Sequence, residues 1–158
     1  MKLNTFQKRN RIGSALVFLQ FSALFLLLSL TLATTKTRYG TIPMEALTMA
    51  CASLLLATWT LKHNRPCNFN LSPLPKLWCN FVNTGPYQWI RHPMYTSLLL
   101  GTGGLALASS PFFGWMAWSV LAFILMLTSI FEERWMREKH PQYSFYSRHS
   151  YRFIPWVF

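Results

Sequence analysis

Apolar residues gather along the chain in four long stretches, at 12–33, 44–61, 94–109 and 112–131, and polar or charged residues fill the segments between them. No alternation of period two and no heptad repeat competes with this pattern, so the elements it predicts are helices. The first stretch carries no charge over its whole length. At about 1.5 Å per residue it covers the roughly 30 Å hydrocarbon core of a bilayer. Ala33-Thr34-Thr35 is a poor signal-peptide cleavage site, so the helix is expected to be retained. The second stretch opens with Glu45, a position where a helix N-terminus favours a carboxylate. The predicted fold is all-α: one integral membrane domain with about four transmembrane helices, a connecting loop at 62–93 and a tail at 132–158.

The connections add topology. Ser109-Ser110-Pro111 is so short that the third and fourth stretches are expected to form an antiparallel helical hairpin. The 62–93 loop holds prolines at 66, 73, 75 and 86, which forbid a long regular helix. Leu71, Leu74, Leu77, Trp78 and Phe81 give that loop apolar anchors for the membrane surface or for the cover of a site. With four spans, the N-terminal segment, the 62–93 loop and the tail share one side. They carry four, four and five of the Lys and Arg residues, against two in the first loop and none in the last. The positive-inside rule then places both termini in the cytoplasm.

Composition agrees with a lipid solvent: 52% of the 158 residues are hydrophobic and 12% charged, against about a quarter charged in soluble domains. A net charge of +11 would ordinarily suggest nucleic acid. Here the charges lie between apolar stretches, where they orient a membrane protein and meet anionic headgroups, and no nucleic-acid partner is expected. Cys51, Cys67 and Cys79 form no CxxC and no histidine pairing at ligand spacing, so no metal site is expected. Cys51 reads as a small core residue.

Chemistry concentrates in two places. Gly85-Pro86-Tyr87-Gln88-Trp89-Ile90-Arg91-His92-Pro93-Met94-Tyr95 lies just before the third stretch, and Glu132-Glu133, half of the four acidic residues, directly follows the fourth. A hairpin that goes out and back returns both clusters to the same face, the cytoplasmic one. They could simply be salt bridges tying the hairpin ends together, and the neighbouring tyrosines and tryptophans could be interfacial anchors. The same set would also suit a ligand carrying an anion, a cation and a flat ring: Arg91 or His92 for the anion, Glu132 or Glu133 for the cation, and an aromatic wall.

In order and spacing these residues, together with Tyr143, Tyr146 and Arg152-Phe153-Ile154-Pro155, resemble the isoprenylcysteine carboxyl methyltransferase and phospholipid methyltransferase family of integral membrane enzymes. The resemblance covers about residues 85–155. It implies methyl transfer from S-adenosylmethionine to a lipophilic or small-molecule acceptor, with the cofactor held by Tyr87, Arg91, His92, Pro93, Tyr95, Glu132 and Glu133. Related phospholipid methyltransferases add a GxG in the third helix, for which Gly101-Thr102-Gly103 is the counterpart, although glycines in a spanning helix also serve close packing. Arg91, His92, Glu133 and Arg152 are the expected catalytic set. The sequence departs from the family pattern at Ser97, where glycine is common, and at His140-Pro141, where Phe-Gly is expected.

Methyl transfer is an in-line displacement that needs alignment of acceptor, methyl and sulfur, and exclusion of water. A thiol or carboxylate acceptor needs no strong base, whereas an amine must shed a proton. Two other readings fit parts of the sequence. Membrane sterol reductases, which use NADPH, end in a pattern similar to Tyr151-Arg152-Phe153-Ile154-Pro155, and a non-enzymatic membrane protein would need only the spans. The acceptor and the oligomeric state are not legible.

Overall fold

The computed structural model describes residues 2–38, 42–64 and 82–156. Cys67, Cys79 and the apolar anchors expected of the 62–93 loop lie outside the described residues. The described chain is helical: α1 (Lys2–Arg38), α2 (Met44–His63), a 3-10 turn at Gly85–Gln88, α3 (Pro93–Ala108), α4 (Pro111–Lys139) and the short α5 (Tyr143–Arg148).

Proline punctuates the helices where the sequence changes character. Pro93 and Pro111 each open a helix at its first position, where the missing N–H costs no hydrogen bond. Between them Ser109 and Ser110 make the tight link of the hairpin, and the Ser109 hydroxyl donates to the Ala106 carbonyl at 3.0 Å. The helices alternate in direction. Near one end of the bundle Arg9 of α1 pairs with Glu138 of α4 at 2.7 Å, and the His63 ring at the end of α2 lies against Gly85, just ahead of α3. At the opposite end Thr31 of α1 donates to the Leu105 carbonyl of α3 at 3.2 Å.

Helix α3 stands at the centre, in contact with α1, α2 and α4. Its buried positions are small: Ser97, Thr102, Gly103, Gly104, Ala106 and Ala108. Such residues let helix backbones approach closely where lipid offers no hydrophobic drive to associate. The Ala46 carbonyl of α2 lies where a Cβ on Gly104 would come within 2.8 Å of it. On the other side Ala23, Leu121, Ile124 and Leu125 pack with Tyr95 and Leu98, and Leu27, Ala106 and Ala117 form a second layer with Trp118. Buried hydroxyls are absorbed by helix carbonyls one turn back, as at Thr60, Thr102 and Thr128. The outward faces are apolar, with Phe18, Phe25, Leu54, Leu55, Phe112 and Phe123 exposed.

Among the described residues three helices, α1, α2 and α4, are long and apolar enough to cross a membrane. Helix α3 has 16 residues, which at 1.5 Å per residue is about 24 Å, shorter than a bilayer core. Two features differ from the sequence reading. Helix α4 continues past the end of its apolar run at Phe131 to Lys139, so Glu132 and Glu133 stand on a helix instead of opening a tail. Strong helix formers and the Glu133 to Arg137 pair at i,i+4 carry it onward. Cys51 is exposed rather than a core residue, because it lies on the side of α2 turned away from α3.

Candidate functional site

The site is assembled where the start of α3 meets the end of α4. Gly85 has φ +60°, the left-handed region that glycine alone adopts freely, and a Cβ there would lie 2.4 Å from the His63 ring. From it the Gly85–Gln88 turn delivers the chain to Ile90, which forms a parallel bridge with Tyr151. Around that bridge the Tyr151 N–H donates to the Trp89 carbonyl at 2.8 Å, the Arg91 N–H to the Tyr151 carbonyl at 2.7 Å, and the His92 N–H to the Arg152 carbonyl at 3.1 Å. Pro93 disfavours a helical conformation at His92, and this keeps the segment extended for pairing. The Thr96 hydroxyl then donates to the Phe153 carbonyl at 2.8 Å. The tail is thus tied to the entry of α3 by backbone bonds.

This pairing sets Arg152 on Glu133. Its Nε donates to Oε1 at 2.9 Å and its Nη2 to Oε2 at 3.0 Å, a two-pronged contact suited to a planar guanidinium. Arg91 Nε lies 3.1 Å from Glu133, and Arg137 Nη2 and His92 Nε2 lie at 3.4 Å. Glu133 is 2% exposed. Its neighbour is placed differently. Glu132 accepts from the Tyr95 hydroxyl at 2.8 Å and lies 3.4 Å from His92 Nδ1, and its side chain keeps 21% of its surface exposed.

His92 therefore bridges the two carboxylates through its two ring nitrogens. Burial works against a charged imidazole, but the carboxylates of Glu132 and Glu133 facing its two nitrogens outweigh it and raise its pKa above the ordinary 6.5. Its ring stacks on Tyr95 with centroids 5.4 Å apart and planes 8° from parallel, and Phe153 closes the aromatic group at 6.0 Å from His92. Arg91 Nε and His92 Nε2 are buried within ion-pair reach of Glu133 but are not aligned for a hydrogen bond. Arg91 Nη1 donates to the Ser147 carbonyl. The Tyr146 hydroxyl donates to the Tyr87 carbonyl at 2.5 Å. Burial, with the nearby Tyr146 and Glu132, pushes the Tyr87 phenol up to about 12, so it is a neutral donor at any working pH.

Arg91, His92, Tyr95, Glu132, Glu133 and Arg152 are thus brought into one cluster. Pro93 is buried beside them, and Tyr87 joins through its carbonyl. Gly101 and Gly103 face elsewhere, with Ser53 and Met49 of α2 and Trp118 of α4 as their neighbours. Ser97 is absorbed into the same helix packing: its hydroxyl donates to the Met94 carbonyl and its carbonyl accepts from Ser53 at 2.7 Å. Pro141 lies in a turn whose Tyr143 N–H reaches the His140 carbonyl at 2.9 Å, and Tyr143 remains buried. Two participants were missed from sequence. Arg137 was signalled by its i,i+4 spacing from Glu133, whereas the Ser147 carbonyl depends on tertiary pairing and left no local mark.

These features define an integral membrane protein of packed helices with a charged, aromatic-walled site at one end of the bundle. Residues 46–143 match the phospholipid methyltransferase family, and the chain belongs to that family. It is also similar to the cobalt-zinc-cadmium resistance protein CzcN of Cupriavidus metallidurans, 32% identical over 98 residues. That match covers 54% of this chain and 45% of the relative, so the chain spans less than half of that protein's length.

Proposed function

We propose that the chain is an S-adenosylmethionine-dependent methyltransferase, acting at the membrane on a lipophilic or small thiol, carboxylate or amine acceptor in the manner of isoprenylcysteine carboxyl methyltransferases. The observation that carries this reading is the meeting of His92 and Tyr95 with Glu132, the two rings stacked and Arg91 beside them on Glu133, in a chain of methyltransferase family. The donor set fits the cofactor's chemistry: buried cationic donors for a carboxylate, a partly exposed carboxylate for an ammonium or ribose hydroxyl, and aromatic faces for a ring or a sulfonium. When bound, S-adenosylmethionine supplies an electrophilic methyl group on sulfur.

The roles divide by burial. Glu132 and the aromatic pair would meet the cofactor, with Arg91 and His92 on its anionic side. Glu133, occupied by Arg152, Arg91 and the exposed Arg137, is a positioning residue that holds the first two guanidiniums in a water-poor place. Gly101 and Gly103 lie in the packing of α3 against α2 and α4, away from this cluster. An amine acceptor would need to lose a proton, for which Glu132 is the carboxylate with a free face. The positive-inside count puts this end of the bundle, and both ends of the chain, on the cytoplasmic side.

The test supplies the protein in nanodiscs with methyl-labelled S-adenosylmethionine and, separately, membrane lipid extract, small thiols and prenylated cysteine analogues, followed by mass spectrometry. One species gaining a single methyl group, lost in His92→Ala, is expected. Oxidation of NADPH without methyl transfer would support the reductase reading, and neither activity a non-enzymatic role.

A further inference from the structure

The tail bears a feature that the proposed chemistry does not use. After the Ile90 to Tyr151 bridge, Phe153 is fixed beside Thr96, one turn inside α3, and its ring is buried. The bridge is parallel, so the tail runs in the direction in which residues 89–92 lead into α3, toward the hydrocarbon. The residues that follow become apolar and exposed at once: Ile154 at 53% and Trp156 at 81%. Trp156 has φ 63°, a conformation rarely adopted by a bulky residue, and its side chain stands clear of the bundle. Trp89 and Tyr151 are exposed in the two segments that the bridge joins, and Phe145 is exposed on α5. Exposed Arg134, Arg137 and Arg148 belong to the same region.

We propose that Ile154–Trp156 is an interfacial anchor that dips into the headgroup and upper acyl layer of the bilayer the helices cross, with anionic headgroups as partners of the surrounding arginines. Tryptophan is the side chain best suited to this layer, apolar in body with one N–H donor for the wet side. A basic surface is drawn to the anionic headgroups of a leaflet. Lipid is favoured over a protein partner by direction: a strand heading along α3 from the level of Thr96 meets the membrane, not solvent. The anchor holds the strap on which Arg152 sits, so the bilayer itself keeps the guanidinium on Glu133.

The experiment needs no knowledge of the reaction. In a background where Cys51, Cys67 and Cys79 are serine, Trp156→Cys is labelled with an environment-sensitive fluorophore in nanodiscs containing phosphatidylglycerol. Quenching by nitroxide lipids labelled near the headgroup, stronger than by those labelled deep in the acyl chain, with protection from aqueous iodide, is expected. Free quenching by iodide overturns the proposal. So does protection from iodide without quenching by lipid, which would mean that protein covers the residue. As a second measurement, trypsin should cleave after Arg148 or Arg152 several-fold faster in the Ile154→Asp, Trp156→Asp double variant than in the wild type, at unchanged helical content. Equal cleavage also overturns the anchor.

Discussion

Glu133 is surrounded by three guanidiniums and an imidazole, and its burial makes that company obligatory. A carboxylate withdrawn from water must be repaid by aligned cations, and once those cations are themselves half-buried, the removal of the acid strands them. Glu133→Gln is therefore expected to lower stability by about 3 kcal/mol or more, within the range for breaking a buried pair. Glu132→Gln, at a partly exposed side chain, should cost about 1 kcal/mol, the worth of an ordinary hydrogen bond. Thermal unfolding of both variants in the same detergent checks the order. His92 gives the site a pH dependence of definite sign. Its pKa is raised in the folded state, so its ion pairing with Glu132 and Glu133 contributes fully below about 6.5 and is lost as the pH rises through the elevated value. The melting temperature should fall over that window, and His92→Gln should flatten the fall.

At the scale of elements, α3 is short and central, and its glycines differ in what they touch. A Cβ at Gly104 would lie 2.8 Å from the Ala46 carbonyl, a backbone atom that cannot move without shifting α2. A Cβ at Gly103 would meet the far end of the Met49 side chain, which can swing away. Gly104→Ala should thus destabilise by about 1–3 kcal/mol, as overpacking does, and Gly103→Ala should be close to neutral. Differential scanning fluorimetry of the two variants separates them. The helices and the hairpin were legible in the sequence because apolar length and a three-residue link are local properties. The division between the two glutamates has a local signature too: Leu121, Leu125, Ser129 and Glu133 recur at steps of four, and all four are buried. The motif around Arg152 was legible by resemblance, but the pairing that positions it was not: the bridge to Ile90 consists of backbone bonds between segments about sixty residues apart, and such bonds favour no residue type.

For the whole molecule, the alternation of helix directions returns the start of α3 and the end of α4 to one end of the bundle, and the C-terminal strap locks them there. The hairpin makes that meeting unavoidable, which is why two clusters forty residues apart could be assigned to one site before any contact was known. Which helix faces line the acceptor's path could not be read, since those faces are uniformly apolar and lipid and substrate would ask for the same side chains. The central claim is that the end of the bundle bearing His92 and Glu132 receives S-adenosylmethionine. Equilibrium binding of labelled S-adenosylmethionine to the purified protein in nanodiscs tests it most directly. Saturable binding, weakened at least about tenfold by Glu132→Gln and by His92→Ala, as the loss of a charge-assisted contact implies, is the predicted result; binding that both substitutions leave unchanged would contradict it.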